Sequence, residues 1–66
     1  MTSDLDIYRA ARLLIDQRGE DAATFAAGWA DLLLEEGDVE GSAVWRQIRA
    51  AIEELRRGRR EDEAVS

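Results

Sequence analysis

Three glycines and a complete lack of proline set the frame of this chain. Between Gly19, Gly37 and Gly58 most residues are good helix formers, and apolar side chains return every three or four positions. That period marks one face of an α-helix, and no stretch shows the alternation of a half-buried strand. An all-α fold is therefore predicted, with helices over about residues 4–18, 22–36 and 39–57.

Each predicted helix has its own end signals. Ser3 or Asp4 caps the first, with Asp6 in the first turn, where a negative charge meets the positive end of the helix dipole. Its stripe is Ile7, Ala11 and Leu14, flanked by Tyr8 and Ile15, and Gly19 closes it just after Arg18. Asp21 is expected to cap the second helix, whose stripe is Ala22, Phe25, Trp29 and Leu32, with Gly37 at its end. Asp38 caps the third, although Gly41 and Ser42 are able to delay its regular part by a turn. There Trp45, Ile48, Ile52 and Leu55 form the stripe, with Val44 and Ala51 beside them. Gly58 is expected to end it, leaving residues 59–66 as a disordered charged tail on a single domain of residues 1–58. Connections of two to four residues make successive helices antiparallel. The expected architecture is a three-helix bundle, with a helical hairpin plus one open helix as the alternative. Trp29 and Trp45 each sit mid-stripe and are expected in the core, where truncation costs about 3–5 kcal/mol.

Inventory excludes several chemistries. With 66 residues there is room for one small domain, and a chain of this size is marginally stable without a staple or a partner. It has neither cysteine nor histidine, so disulfides, the usual zinc sites and Cys/His or Ser/His nucleophile systems are absent. Carboxylate pairs such as Glu35 and Glu36 occur, but no pocket, nucleophile or phosphate loop is marked. No enzyme activity, catalytic residue, cofactor or metal is expected. No apolar run approaches the roughly 20 residues that span a bilayer, and the start Met1-Thr2-Ser3-Asp4 does not read as a signal peptide. A cytoplasmic location is the expectation.

Charge is strongly segregated. The chain carries a net charge of −6, yet residues 20–40 hold seven acids and no arginine, while residues 41–60 hold six arginines and two glutamates. Asp31, Glu35, Glu36, Asp38 and Glu40 fall within ten residues around the second turn. Such a patch suits a protein partner with a basic surface, and carboxylates on a rigid helix can imitate DNA phosphates. The plainer alternative is a solvated face that keeps the chain soluble. The net charge argues against direct contact with nucleic acid or an anionic membrane. A second apolar line on helix 2, Ala23, Ala27, Ala30 and Leu34, is a candidate self-association surface for a homodimer; its alternative is that alanine simply favours helix.

Two further constellations are weaker. Glu36, Asp38, Glu40, Gly41 and Gln47 match positions 1, 3, 5, 6 and 12 of a helix-loop-helix calcium loop, but Gln47 lacks the bidentate carboxylate that position 12 requires. Arg46, Arg49, Arg56 and Arg57 with Arg59 and Arg60 suggest a DNA-recognition helix. Glu53 and Glu54 interrupt them, and Glu53 stands four residues from both Arg49 and Arg57, as in an ion-paired exposed face.

Leu5 to Ala11 with Leu13-Leu14-Ile15, Gly19 to Ala22, Gly37-Asp38 with Gly41, Ala43 to Trp45, and Ala51 to Leu55 together carry a family likeness. Over residues 5–55 the chain resembles a family of short alphaproteobacterial proteins built around a domain of unknown function. The resemblance implies a bacterial helical protein and carries over no functional residue. At the level of class, a compact acidic protein of this length is also similar to anti-CRISPR and anti-restriction inhibitors, which act stoichiometrically by occupying a surface. Three readings stay open: an acidic interaction module or inhibitor, a self-associating structural or adaptor protein using helix 2, and a DNA-binding regulator using helix 3.

Overall fold

The structure, a computed structural model, describes residues 3–65, with side chains described over residues 3–57. These residues are helical almost throughout, in three α-helical pieces: α1 (Asp4–Arg18), α2 (Ala22–Glu35) and α3 (Val39–Val65). Ser3 caps α1 from extended backbone, its hydroxyl oxygen accepting the Asp6 N–H at 3.2 Å. Asp4 and Asp6 lie in the first turn and Arg18 in the last, the charge order that the helix dipole favours. Gly19 ends α1 with φ +63°, a conformation that costs a side-chain-bearing residue strain, and its N–H donates to the Ile15 carbonyl.

The junction between α1 and α2 differs from expectation. Asp21 makes no capping hydrogen bond to α2. Residues Gly19–Asp21 form one turn of 3-10 helix, in which the Ala22 N–H donates to the Gly19 carbonyl. The 3-10 turn takes the place of the extended approach that an N-cap needs, and Asp21 instead pairs with Arg18 at 3.3 Å. At the other end of α2, the Gly37 N–H donates to the Leu34 carbonyl at 3.0 Å and the Asp38 N–H to the Leu33 carbonyl at 2.8 Å. With Gly37 at φ +89°, this is a Schellman closure.

Asp38 then caps α3, its Oδ1 accepting the Gly41 N–H at 2.9 Å. Gly41 does not delay the helix. It makes room for the cap, because a Cβ there would collide with the Asp38 carboxylate. α3 also passes Gly58 and runs to Val65, eight residues past the predicted end at 57. One helical glycine costs about 1 kcal/mol relative to alanine, and the sequence beyond it has no proline to enforce a stop. The residues assigned to a disordered tail are therefore helical through Val65, and Ser66 lies outside the described residues.

α3 carries the packing. Both α1 and α2 lie against it, while α1 and α2 touch each other little beyond their junction. The core is Ile7 and Ala11 from α1, Ala22 and Ala26 from α2, and Ile48, Ala51 and Ile52 from α3. Leu14, Ile15, Val44, Trp45 and Leu55 pack partly buried around it. The stripes expected for α1 and α3 are those observed. On α2 the buried line is Ala22, Ala26 and Ala30, at a strict spacing of four, and it runs between the two apolar stripes of that helix. Small residues let the helices approach closely: Ser42, 2% exposed, donates its hydroxyl to the Ala30 carbonyl at 2.8 Å across the α2–α3 seam. Trp29 is consequently displaced from the core and is 40% exposed, contrary to expectation.

One long-range hydrogen bond ties α1 to α3, with the Tyr8 hydroxyl donating to Glu54 Oε2 at 2.7 Å. That bond to a carboxylate, helped by partial desolvation and by the charges of Glu54 and Asp4, raises the Tyr8 pKa above its ordinary 10.0. The fold therefore favours the neutral phenol. Its contribution to stability is present below the unfolded tyrosine pKa and is lost as pH rises through the higher folded value. Tyr8 is the only tyrosine, so phenolate absorbance titrates this group alone. We expect a midpoint above that of free tyrosine, returned toward the ordinary value by Glu54→Gln. An ordinary midpoint in the parent would mean that the bond is not held in solution.

Candidate interaction surface

Close packing of alanines in the α2–α3 seam pushes the larger apolar groups to one side. Phe25 and Trp29, one turn apart on α2, meet Trp45 of α3 in a three-ring cluster. Trp29 stacks on Trp45 with centroids 6.0 Å apart and planes at 19°, and Phe25 sets its edge against both. The Arg18 guanidinium lies over the Phe25 ring, 3.7 Å from its centroid, so the end of α1 covers one side of the cluster. The other side is open. Thr24, Phe25, Gly28, Trp29 and Leu32 line a shallow apolar cleft of about 300 Å³, with Leu32 44% exposed at its edge.

Gly28 forms the middle of that cleft. A Cβ there would meet nothing within 4 Å, so no contact among the described residues explains the absence of a side chain in the middle of a helix. The aromatic stripe was legible as an apolar line; its exposure was not, because hydrophobicity ranks tryptophan above alanine for the core and ignores how closely alanines let helices approach.

The five acids singled out by sequence lie along the end of α2, the turn after it and the start of α3. Asp31 and Glu35 lie on the outer face of α2, Glu36 and Asp38 in the turn, and Glu40 in the first turn of α3, all exposed. Among the described residues none of the five joins an ion pair, and only the Asp38 carboxylate is engaged, by its cap. The calcium-loop spacing has no loop to act in, since Val39 through Gln47 are already in α3.

The proposed self-association stripe is divided by the fold. Ala30 is buried, with its carbonyl bonded to Ser42; Ala23 and Ala27 are half-buried, Ala23 against the core; only Leu34 is exposed. Of the stripe, Ala30 is therefore committed within the chain, while Ala23, Ala27 and Leu34 keep partial or full exposure. On α3, Arg46, Arg49 and Arg57 are exposed and Arg56 is half-buried. Arg49 pairs with Glu53 at 3.7 Å, as the spacing of four suggested; a pair this exposed contributes little to stability.

Among the described residues no helix is long and apolar enough to cross a membrane, and no group of three or more acidic side chains is placed to hold a metal ion. Comparison with protein-family models, with curated proteins and with solved structures returns no match for this chain.

Proposed function

We propose that this chain is a non-enzymatic protein-interaction module of the bacterial cytoplasm, its helices closed as a three-helix bundle that presents acids to a partner with a basic surface. The observation that supports this reading is the exposure of Asp31, Glu35, Glu36, Asp38 and Glu40, with no ion pair to any of them among the described residues. Carboxylates held by a capped turn keep their relative positions, so a partner meets a fixed pattern of charge. A partner shaped to bind phosphates is the one such a pattern suits best, and the activity is stoichiometric inhibition of a nucleic-acid-binding protein, in the manner of anti-CRISPR-type inhibitors. The likeness to short alphaproteobacterial proteins is compatible with this role and assigns no residue to it. A DNA-binding role for α3 is disfavoured by the Arg49–Glu53 pairing and by the net charge of −6.

The turn supplies the test. The combined variant Glu36→Gln, Asp38→Asn and Glu40→Gln removes three charges while asparagine retains the cap. Partners captured at low salt from the source cell and identified by mass spectrometry are then measured singly against parent and variant. The variant is expected to associate at least about tenfold more slowly, and the parent to lose the same advantage as salt rises. Equal association rates for parent and variant, at low and high salt, would remove the acidic face as the binding surface.

A further inference from the structure

We infer that the cleft of Phe25, Gly28, Trp29 and Leu32 is the docking site of a second copy of this chain, forming a twofold dimer through the aromatic side of α2 and α3. This goes beyond the acidic module; it draws on Asp31 and Glu35 of the acidic face and leaves the turn acids Glu36, Asp38 and Glu40 to a partner. Among the described residues five of the eight buried hydrophobics are alanines, while Trp29 and Leu32 stay about 40% exposed and Phe25 and Trp45 only half-buried. The aromatic groups of α2 and α3 thus lie at the margin of a core built from alanines and isoleucines. A chain of 66 residues with no cysteine to form a disulfide is the kind that completes its core by association.

Charge complementarity identifies the occupant. Acids border the cleft on α2, with Glu35 three residues beyond Leu32 and Asp31 immediately before it. The fitting partner surface is an apolar anchor flanked by positive charge. α3 of the same chain has that composition, with Trp45 followed by Arg46 and, one turn on, Arg49. In a twofold contact each copy offers α3 to the other's α2, so both complementary contacts form at once. Gly28 fits the same arrangement. A mid-helix glycine with open space above it lets a neighbouring backbone come close, whereas inside a lone copy it only weakens the helix.

Charge exchange tests the dimer directly. Sedimentation equilibrium of the parent should give a mass that rises from one copy to two with concentration. Arg46→Glu with Arg49→Glu in one variant, and Asp31→Arg with Glu35→Arg in another, should each be monomeric where the parent is dimeric, because like charges then face each other. An equal mixture of the two should recover the dimer, since both contacts become complementary again. Gly28→Gln, a better helix former, should raise the helicity of the single copy and abolish the dimer, which separates loss of docking from loss of folding. Leu13→Asp, at an exposed leucine of α1, should leave the dimer unchanged. A parent that stays monomeric up to about 1 mM would overturn the inference, as would a dimer that survives both charge variants. So would a mixture that fails to recover it. None of these outcomes touches the variant of the turn acids, so the two proposals fail separately.

Discussion

Ile52→Ala is expected to cost about 2–5 kcal/mol and to leave a large share of the chain unfolded at room temperature. Ile52 is fully buried and is the largest side chain with no exposure, placed on α3 where α1 and α2 both pack. Among the described residues the other buried hydrophobics are two isoleucines and five alanines, which leave few neighbours able to collapse into the space it would vacate. A chain of this length has roughly 3–10 kcal/mol of stability in total, so one such cavity removes a large part of it. The measurement is urea unfolding followed by circular dichroism, with Ile52→Val as the graded control at about 0.5–1.5 kcal/mol. If Ile52→Ala shifted the midpoint no more than Ile52→Val, the core would not be centred on this residue.

How far the sequence foretold this arrangement depends on the helix. In α1 and α3 the buried hydrophobics, Ile7 and Ala11, then Ile48, Ala51 and Ile52, fall on or beside the apolar lines at helical spacing, and a simple count of period finds them. The caps at Ser3 and Asp38 and the glycine closures at Gly19 and Gly37 are local chemistry, readable from residue type alone. Asp21 was misleading because a cap requires extended backbone leading into the helix, whereas Asp21 itself has helical backbone as the last residue of the 3-10 turn that follows Gly19. α2 failed for a different reason. It is apolar around most of its circumference, so the period is present for two stripes and periodicity does not choose between them. The helix resolves that choice by burying Ala22, Ala26 and Ala30, a line that includes one member of each stripe and one of neither. The acidic face was fully legible as composition. The aromatic cleft beside it was not, since it exists only once the alanines have taken the core.

Enlarging Ala26 should destabilise the chain although it adds apolar surface. Ala26→Leu inserts three carbons at a position with no exposure, on the line where α2 meets the core. Leucine matches alanine closely in helix propensity, so the intrinsic preference of the helix hardly changes. If the core had slack, the added burial would stabilise by about 0.8 kcal/mol per carbon. The Ser42 hydroxyl, however, reaches the Ala30 carbonyl at 2.8 Å one turn away, which requires the backbones of α2 and α3 to be close there. A leucine must push them apart, and overpacking of this kind costs about 1–3 kcal/mol. It should also strain the Ser42 bond and leave a buried hydroxyl without its acceptor, which adds to the loss. Thermal melts of Ala26→Leu against Ala43→Leu, at an exposed alanine of α3, isolate the effect of packing from that of composition. The first should melt well below the parent and the second close to it. A stabilised Ala26→Leu would mean that the seam is loose, and with it would go the reason for Trp29, Leu32 and their cleft to lie on the outside.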